Sequence, residues 1–194
     1  MRPAYIVGIG GTASPQSSTE AALRVALDSA AQCGALTKAF GGQYLASLPL
    51  YLTPGSASAA DTLIAAVRQA DGLIIASPGY HGSVSGIVKN AIDYLELTAR
   101  DARVYLDSIP VGLVVTASGW QAMGSTLATM RSIVHALRGW PTPLGATINT
   151  SGGTFRDGVC VDEAAIKQLA LVGRQVATFA RMHIADPSAT ETGA

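Results

Sequence analysis

The sequence predicts an α/β domain in which a five-stranded parallel sheet is covered on both faces by helices. Two observations lead there. Short apolar runs rich in β-branched residues alternate with longer runs whose apolar residues recur at helical spacing, five of each. The first three strand-like runs also end in Gly- or Pro-containing breaks, as strands feeding loops do. Such alternation implies βαβ units with right-handed crossovers.

Tyr5–Ile9 is apolar and β-branched and ends in Gly10-Gly11, a buried first strand. Ser17-Ser18-Thr19-Glu20 fits a capping box, and Leu23, Ala26, Leu27 and Ala30 then share one helical face. That helix ends near Gly34. Ala35–Phe40 is a weaker second strand, followed by a loop rich in Gly and Pro. Ser58-Ala59-Ala60-Asp61 reads as another capping box before a helix carrying Leu63, Val67 and Ala70. Gly72–Ser77 is a third buried strand, stopped by Pro78-Gly79, and Ile87–Leu97 a third helix. Pro110–Ala117 is a fourth strand. Met123, Leu127, Met130, Val134 and Leu137 define the next helix. Leu144–Asn149 is the fifth strand, and Ala165, Leu169, Val172, Val176 and Ala180 mark the last helix.

The 194 residues suit one domain, set at residues 1–184, with residues 185–194 a disordered tail. Hydrophobic residues make up 48% and charged residues 13%, which implies a large core. Thirteen basic residues balance thirteen acidic ones, so nucleic acid and anionic membrane are poor partners, while self-association is unopposed. Cys33 and Cys160 form no metal-binding or CxxC pattern and suit a reducing compartment. No apolar stretch reaches the roughly 18 residues needed to cross a bilayer, and the N-terminus lacks a secretory pattern. A cytoplasmic protein is expected.

In an open α/β sheet, ligands sit beyond the carboxyl ends of the strands. The first such loop, Gly8-Ile9-Gly10-Gly11-Thr12-Ala13, matches the GxGxxG/A dinucleotide fingerprint. The match is poor in context. Pro15 delays helix entry to about Ser17, and Ala39-Phe40-Gly41-Gly42 offers no carboxylate for a ribose at the end of the second strand. The loop is instead rich in hydroxyls: Thr12, Ser14, Ser17, Ser18 and Thr19. With the free amides of a helix N-terminus, they suit one phosphate monoester. Ser and Thr are equally good turn and cap residues, and from this loop alone both readings stand. The loop after the third strand, Ser77–Gly86, is glycine-rich and aromatic. It suits the edge of a flat ligand approached by backbone amides, with Tyr80 stacking or lining the ring.

The stretch Ser77-Pro78-Gly79-Tyr80-His81-Gly82-Ser83 followed by Lys89-Asn90-Ala91-Ile92-Asp93 resembles the signature of the flavodoxin-like NADPH-dependent FMN reductases. Their usual form is Ser-Pro-Glu-Tyr-Asn-Gly-Ser, then Lys-Asn-Ala-hydrophobic-Asp. The resemblance runs in order and spacing to about residue 180. It implies a flavodoxin-like doubly wound sheet of order 2-1-3-4-5 and FMN as cofactor. Thr12, Ser14, Ser17, Ser18 and Thr19 would hold the FMN phosphate. Pro78, Gly79, Tyr80, His81, Gly82 and Ser83 would meet the isoalloxazine ring, with Ser118 and Gly119 a third contact and Trp120 covering the ring or the nicotinamide.

Three positions depart from the family's pattern. Ser14 stands where Arg is frequent, which weakens a phosphate contact and leaves NADPH or NADH open as donor. Gly79 replaces Glu, and His81 replaces Asn. The implied reaction is hydride transfer from NAD(P)H to FMN and onward to a further acceptor. Backbone amides near Gly79–Ser83 would steady negative charge on the reduced ring. His81 would hydrogen-bond the flavin or protonate a quinone. His135 and His183 read as structural, Trp140 as core or interface, and Lys89 and Asn90 as supports for the loop. Asn90, Asp93, Tyr94 and Leu97 suggest a dimer surface, and the resemblance implies a homodimer or homotetramer. A flavin-dependent monooxygenase receiving reduced FMN is a possible partner. A quinone, azo-dye or metal-oxyanion reductase, and a non-enzymatic flavodoxin-like electron carrier, are the alternatives.

Overall fold

Strands buried on both faces need apolar side chains at successive positions, and the central strands supply them. In a computed structural model describing residues 2–185, β1 (Tyr5–Gly10), β3 (Gly72–Tyr80) and β5 (Pro110–Ala117) form the middle of a sheet flanked by β2 (Leu36–Phe40) and β6 (Trp140–Asn149). The order is β2-β1-β3-β5-β6, all parallel. With the two-residue β4 (Ser83–Val84) set aside, this is the expected 2-1-3-4-5 arrangement.

Side chains alternate between two apolar layers. Ile6, Ile74, Val114 and Ile148 point toward α1 (Ser18–Gln32) and α7 (Glu163–Ala185), meeting Leu23, Ala26, Leu169, Val172 and Val176. Val7, Ile9, Leu73, Ile75, Leu113 and Val115 point to the other side. There they meet α2 (Gly42–Ser47), α4 (Asp61–Gln69), α5 (Gly86–Asp93) and α6 (Trp120–Ala136). Both faces of the sheet therefore carry helices, and the carboxyl ends of β1, β3 and β5 open toward one cleft.

Several sequence expectations change. The Gly/Pro-rich loop after β2 contains α2 and the one-turn α3 (Ser56–Ala59). Ser58 is no cap for α4. The N-cap is Ala60, without a side-chain bond, and Ser58 Oγ donates to Gly55 O at 3.0 Å. Pro78-Gly79 does not stop β3, which continues to Tyr80 and turns back into β4. The expected loop is thus a two-residue hairpin. Its tip, His81 and Gly82, has φ of 51° and 82°, the positive pair that a tight hairpin turn requires. The third helix is shorter than expected and passes into a 3₁₀ turn over Tyr94–Thr98.

Strand β6 begins at Trp140, earlier than expected, with an irregularity opposite Val111–Leu113. Trp140 is exposed, not core. A small hairpin, β7 (Phe155–Arg156) with β8 (Val159–Cys160), escaped the sequence reading. The proposed dimer face also fails at Tyr94, which is fully buried and donates to Pro49 O. Asn90 ties the same loop, donating to Pro49 O and accepting from Tyr51 N. Of the expected tail, Ala185 closes α7 and residues 186–194 lie outside the described residues. No helix among the described residues is long and apolar enough to cross a membrane.

Candidate functional site

The first loop owes its shape to Ser17. As N-cap of α1 its Oγ accepts from Glu20 N at 3.2 Å and from Thr12 N at 3.0 Å, curling Thr12–Ser17 over the helix start. Thr12 Oγ1 in turn accepts from Ser14 N. The capping box is only half formed, because the Glu20 carboxylate accepts from Gly42 N and Arg24 instead of turning back. The first-turn amides of Ser18 and Thr19 have no intrahelical acceptor, as at any helix start, and carry the positive end of the helix dipole. Below them Thr19 and Thr116 share a buried hydroxyl–hydroxyl bond of 2.6 Å.

From the other side, Ser77 fixes the base of the β3–β4 hairpin. Its Oγ donates to Pro78 O and accepts from Ser85 N, and Ser85 caps α5. The hairpin lies on α6. A side chain at Gly79 would put its Cβ 2.9 Å from Thr126 Oγ1 and 3.2 Å from Ala122 O. The N-terminus of α6 is capped only by Gly119, with no side-chain acceptor.

These pieces enclose a cleft of about 400 Å³. The first loop and α1 contribute Thr12, Ser14, Gln16, Ser17, Ser18 and Thr19, and β3 contributes Pro78, Gly79 and Tyr80. The ends of β5 and β6 add Thr116–Gly119 and Thr150, and α6 adds Ala122. None of these residues is charged. A larger hollow of about 610 Å³ lies at the opposite edge of the sheet, among Pro110, Trp140, Phe179 and Met182. It is mostly apolar, and the helix N-termini converge on the smaller cleft instead.

Of the residues singled out in the sequence, Thr12, Ser14, Ser17, Ser18, Thr19, Pro78, Gly79, Tyr80, Ser118 and Gly119 line this one cleft. His81, Gly82 and Ser83 sit at the hairpin tip and on β4, outside the lining. Trp120 follows Gly119 at the rim and is 73% exposed. The sequence reading missed Gln16, Thr116, Ala117, Ala122 and Thr150. Thr116 and Thr150 carried a usable signal, since one lies next to the last residue of β5 and the other just past the end of β6, where ligands sit.

Residues 4–153 match the model of the family described as NADPH-dependent FMN reductase. The chain belongs to that family. Among curated family relatives, an FMN-dependent NADPH-azoreductase of Staphylococcus saprophyticus is 40% identical over 98 residues, half of this chain and 48% of the relative. The azoreductase of Staphylococcus aureus is 42% identical over 74 residues, 38% of this chain and 36% of that one. The aligned stretch thus spans about half or less of the curated relatives' length.

Solved structures match nearly the whole chain. The apo form of an NADH:FMN oxidoreductase aligns with TM-score 0.70 and 20% identity, covering 95% of this chain and 92% of that one. An NAD(P)H:(acceptor) oxidoreductase from Paracoccus denitrificans aligns at 0.68 and 19%, covering 93% and 98%. A WrbA-like flavodoxin from Agrobacterium tumefaciens aligns at 0.66 and 16%, covering 94% and 99%. At these identities the likeness is one of fold.

The residues present fit the mononucleotide that gives the family its name. A phosphate dianion would meet hydroxyls and helix-start amides there, with no carboxylate in the lining, and a Cβ at Gly119 would meet nothing within 4 Å. The fingerprint loop is closed off on the side of the second strand. A Cβ at Gly42 would run into Thr12 O, so the loop and the start of α2 already touch backbone to backbone.

Proposed function

We propose that this protein is an NAD(P)H-dependent flavin oxidoreductase that holds FMN in the cleft at the carboxyl edge of its sheet. One observation carries the reading: the N-termini of α1 and α6 and a row of hydroxyls converge on a single uncharged cleft. When bound, FMN supplies the hydride chemistry between reduced nicotinamide and acceptor. The chain supplies position.

Thr12, Ser14, Ser17, Ser18 and Thr19 hold the phosphate. The Ser17 hydroxyl already accepts two amides, so its own proton is left to donate. Pro78, Gly79 and Tyr80 form one wall for the ring, and Ser118 and Gly119 the other. His81, Gly82, Ser83 and Trp120 serve at the rim. There Tyr80 and Trp120, 54% and 73% exposed, offer aromatic faces to a flat donor or acceptor and shed water from it. His81 is a hydrogen-bonding group at the ring edge.

The family's name supports NADPH as donor, with NADH the alternative. The staphylococcal relatives favour a second reading within the same chemistry, an azo-dye acceptor in place of free flavin, and a quinone is a further acceptor of the same kind. Two unpaired thiols suit a reducing cytoplasm, and the family resemblance supports a homodimer or homotetramer and delivery of reduced FMN to a monooxygenase. The test is the purified chain. It should bind FMN, show flavin absorbance, and oxidise NADPH or NADH when supplied with FMN, an azo dye or benzoquinone. Protein without flavin affinity ends the proposal. A stable semiquinone with no nicotinamide oxidation replaces it with an electron carrier.

A further inference from the structure

The carboxylate of Glu20 occupies an unexpected place. Its sequence position suits a capping box, yet Oε2 accepts from Gly42 N at 3.0 Å and Oε1 from Arg24 at 3.2 Å. The carboxylate fills the space beside Gly41, where a Cβ would come within 2.8 Å of it, and lies 3.1 Å from where a Cβ on Gly11 would stand. Glu20 therefore closes a seam between the end of β1 and the start of α2. In GxGxxG sites, that crevice past the first two strands receives the second half of a dinucleotide. Here it holds a carboxylate one residue from Thr19, beside a backbone contact between Thr12 and Gly42.

We propose that Glu20 is a specificity-determining residue that restricts the site to a flavin mononucleotide. The inference rests on the reading that the flavin phosphate sits on the Thr12–Thr19 loop. A ligand with AMP joined to that phosphate, as in FAD, must place a second phosphate and an adenosine beyond the loop. Glu20 opposes it twice. Its volume fills the seam, and its two oxygens, already taken by Gly42 N–H and Arg24, offer no donor to a second phosphate and no free acceptor to a ribose. FMN ends at its one phosphate and meets neither obstacle.

The experiment titrates wild type, Glu20→Gln and Glu20→Ala with FMN, FAD and riboflavin, following quenching of flavin fluorescence. Wild type is expected to prefer FMN over both other ligands. Glu20→Gln keeps the volume and an acceptor for Gly42 N–H but exchanges one oxygen for an N–H donor and frees Arg24, so the preference for FMN over FAD should fall by about threefold. Glu20→Ala removes volume and charge and should lower it by about tenfold or more, with FMN affinity changing less. A preference unchanged in both variants overturns the role of Glu20, and Glu20→Gln decides the matter alone if the alanine variant does not fold. Equal affinity of wild type for FMN and riboflavin overturns the phosphate-loop reading instead.

Discussion

The side-chain oxygens of Thr19 and Thr116 lie 2.6 Å apart, joining the first turn of α1 to the carboxyl end of β5 beneath the cleft. Both residues are buried at the floor of the cleft, so each hydroxyl depends largely on the other for its hydrogen bond. Thr116→Val should cost about 1–3 kcal/mol, because it leaves the Thr19 hydroxyl buried and unpaired. Thr19→Val with Thr116→Val should cost less than the sum of the single changes. Urea unfolding of the three variants measures this, and strictly additive costs would show that the pair is not coupled.

Ser17 both caps α1 and holds the first loop. Ser17→Ala should lower stability by about 1 kcal/mol, as loss of an N-cap does. It should also weaken FMN binding about tenfold, the worth of one hydrogen bond to a charged group, while riboflavin binding stays the same. Parallel thermal melts and flavin titrations separate the two effects. Equal losses for FMN and riboflavin would remove the phosphate from Ser17.

Gly79 stands where the resembling family carries Glu, and the structure explains why Glu is not simply interchangeable. A Cβ there meets Thr126 Oγ1 at 2.9 Å and Ala117 Cβ at 3.3 Å. Gly79→Ala should destabilise by about 1–3 kcal/mol, and adding Thr126→Ala should recover part of that. Among the described residues the Thr126 hydroxyl has no hydrogen-bond partner, so its removal costs little polar energy. A thermal melt in which Gly79→Ala matches wild type would contradict the close packing.

His81 holds a left-handed conformation at the hairpin tip. Asn tolerates this region better, so His81→Asn should raise stability by up to about 1 kcal/mol. Turnover with NADPH should persist for both benzoquinone, which takes up protons, and ferricyanide, which does not. Selective loss with benzoquinone would make His81 a proton donor.

Burial pushes the Cys160 thiol above its ordinary value of 9.0. A raised value in the folded state means that the thiol contributes its full stability while protonated, and loses it as pH climbs through the folded value. Stability should therefore hold through neutral pH and decline above about pH 9, with a shallower decline in Cys160→Ala. Denaturant midpoints between neutral and alkaline pH report the slope.

Much of the fold was legible where one physical demand dominated. Pro110–Ala117 is buried throughout and reads as an unbroken apolar strand with the observed limits. The hairpin was not legible, because Pro78 and Gly79 are strand breakers in isolation. Here pairing with Thr116 on one side and Val84 on the other carries the strand through them. Helix α2 spans six residues, too few for a helical period to show. In the site, the hydroxyls of the first loop announced themselves by clustering. Thr116 looked like an ordinary strand threonine, and Thr150 like an ordinary loop residue, until the strand order brought the ends of β5 and β6 together. Glu20 matched a local capping pattern, and a contact 22 residues away overrode it.

Strand β6 forms one edge of the sheet, and its opening segment contains Pro141 and Pro143. Trp140 N donates inward to Ile109 O, so the next backbone nitrogen, at Pro141, faces outward and carries no hydrogen. A chain laid along this margin would find its ladder of donors interrupted at the first rung. The margin is thereby guarded against fibril-like growth, and copies of the protein must meet through helices or loops rather than by lengthening the sheet at that end of β6.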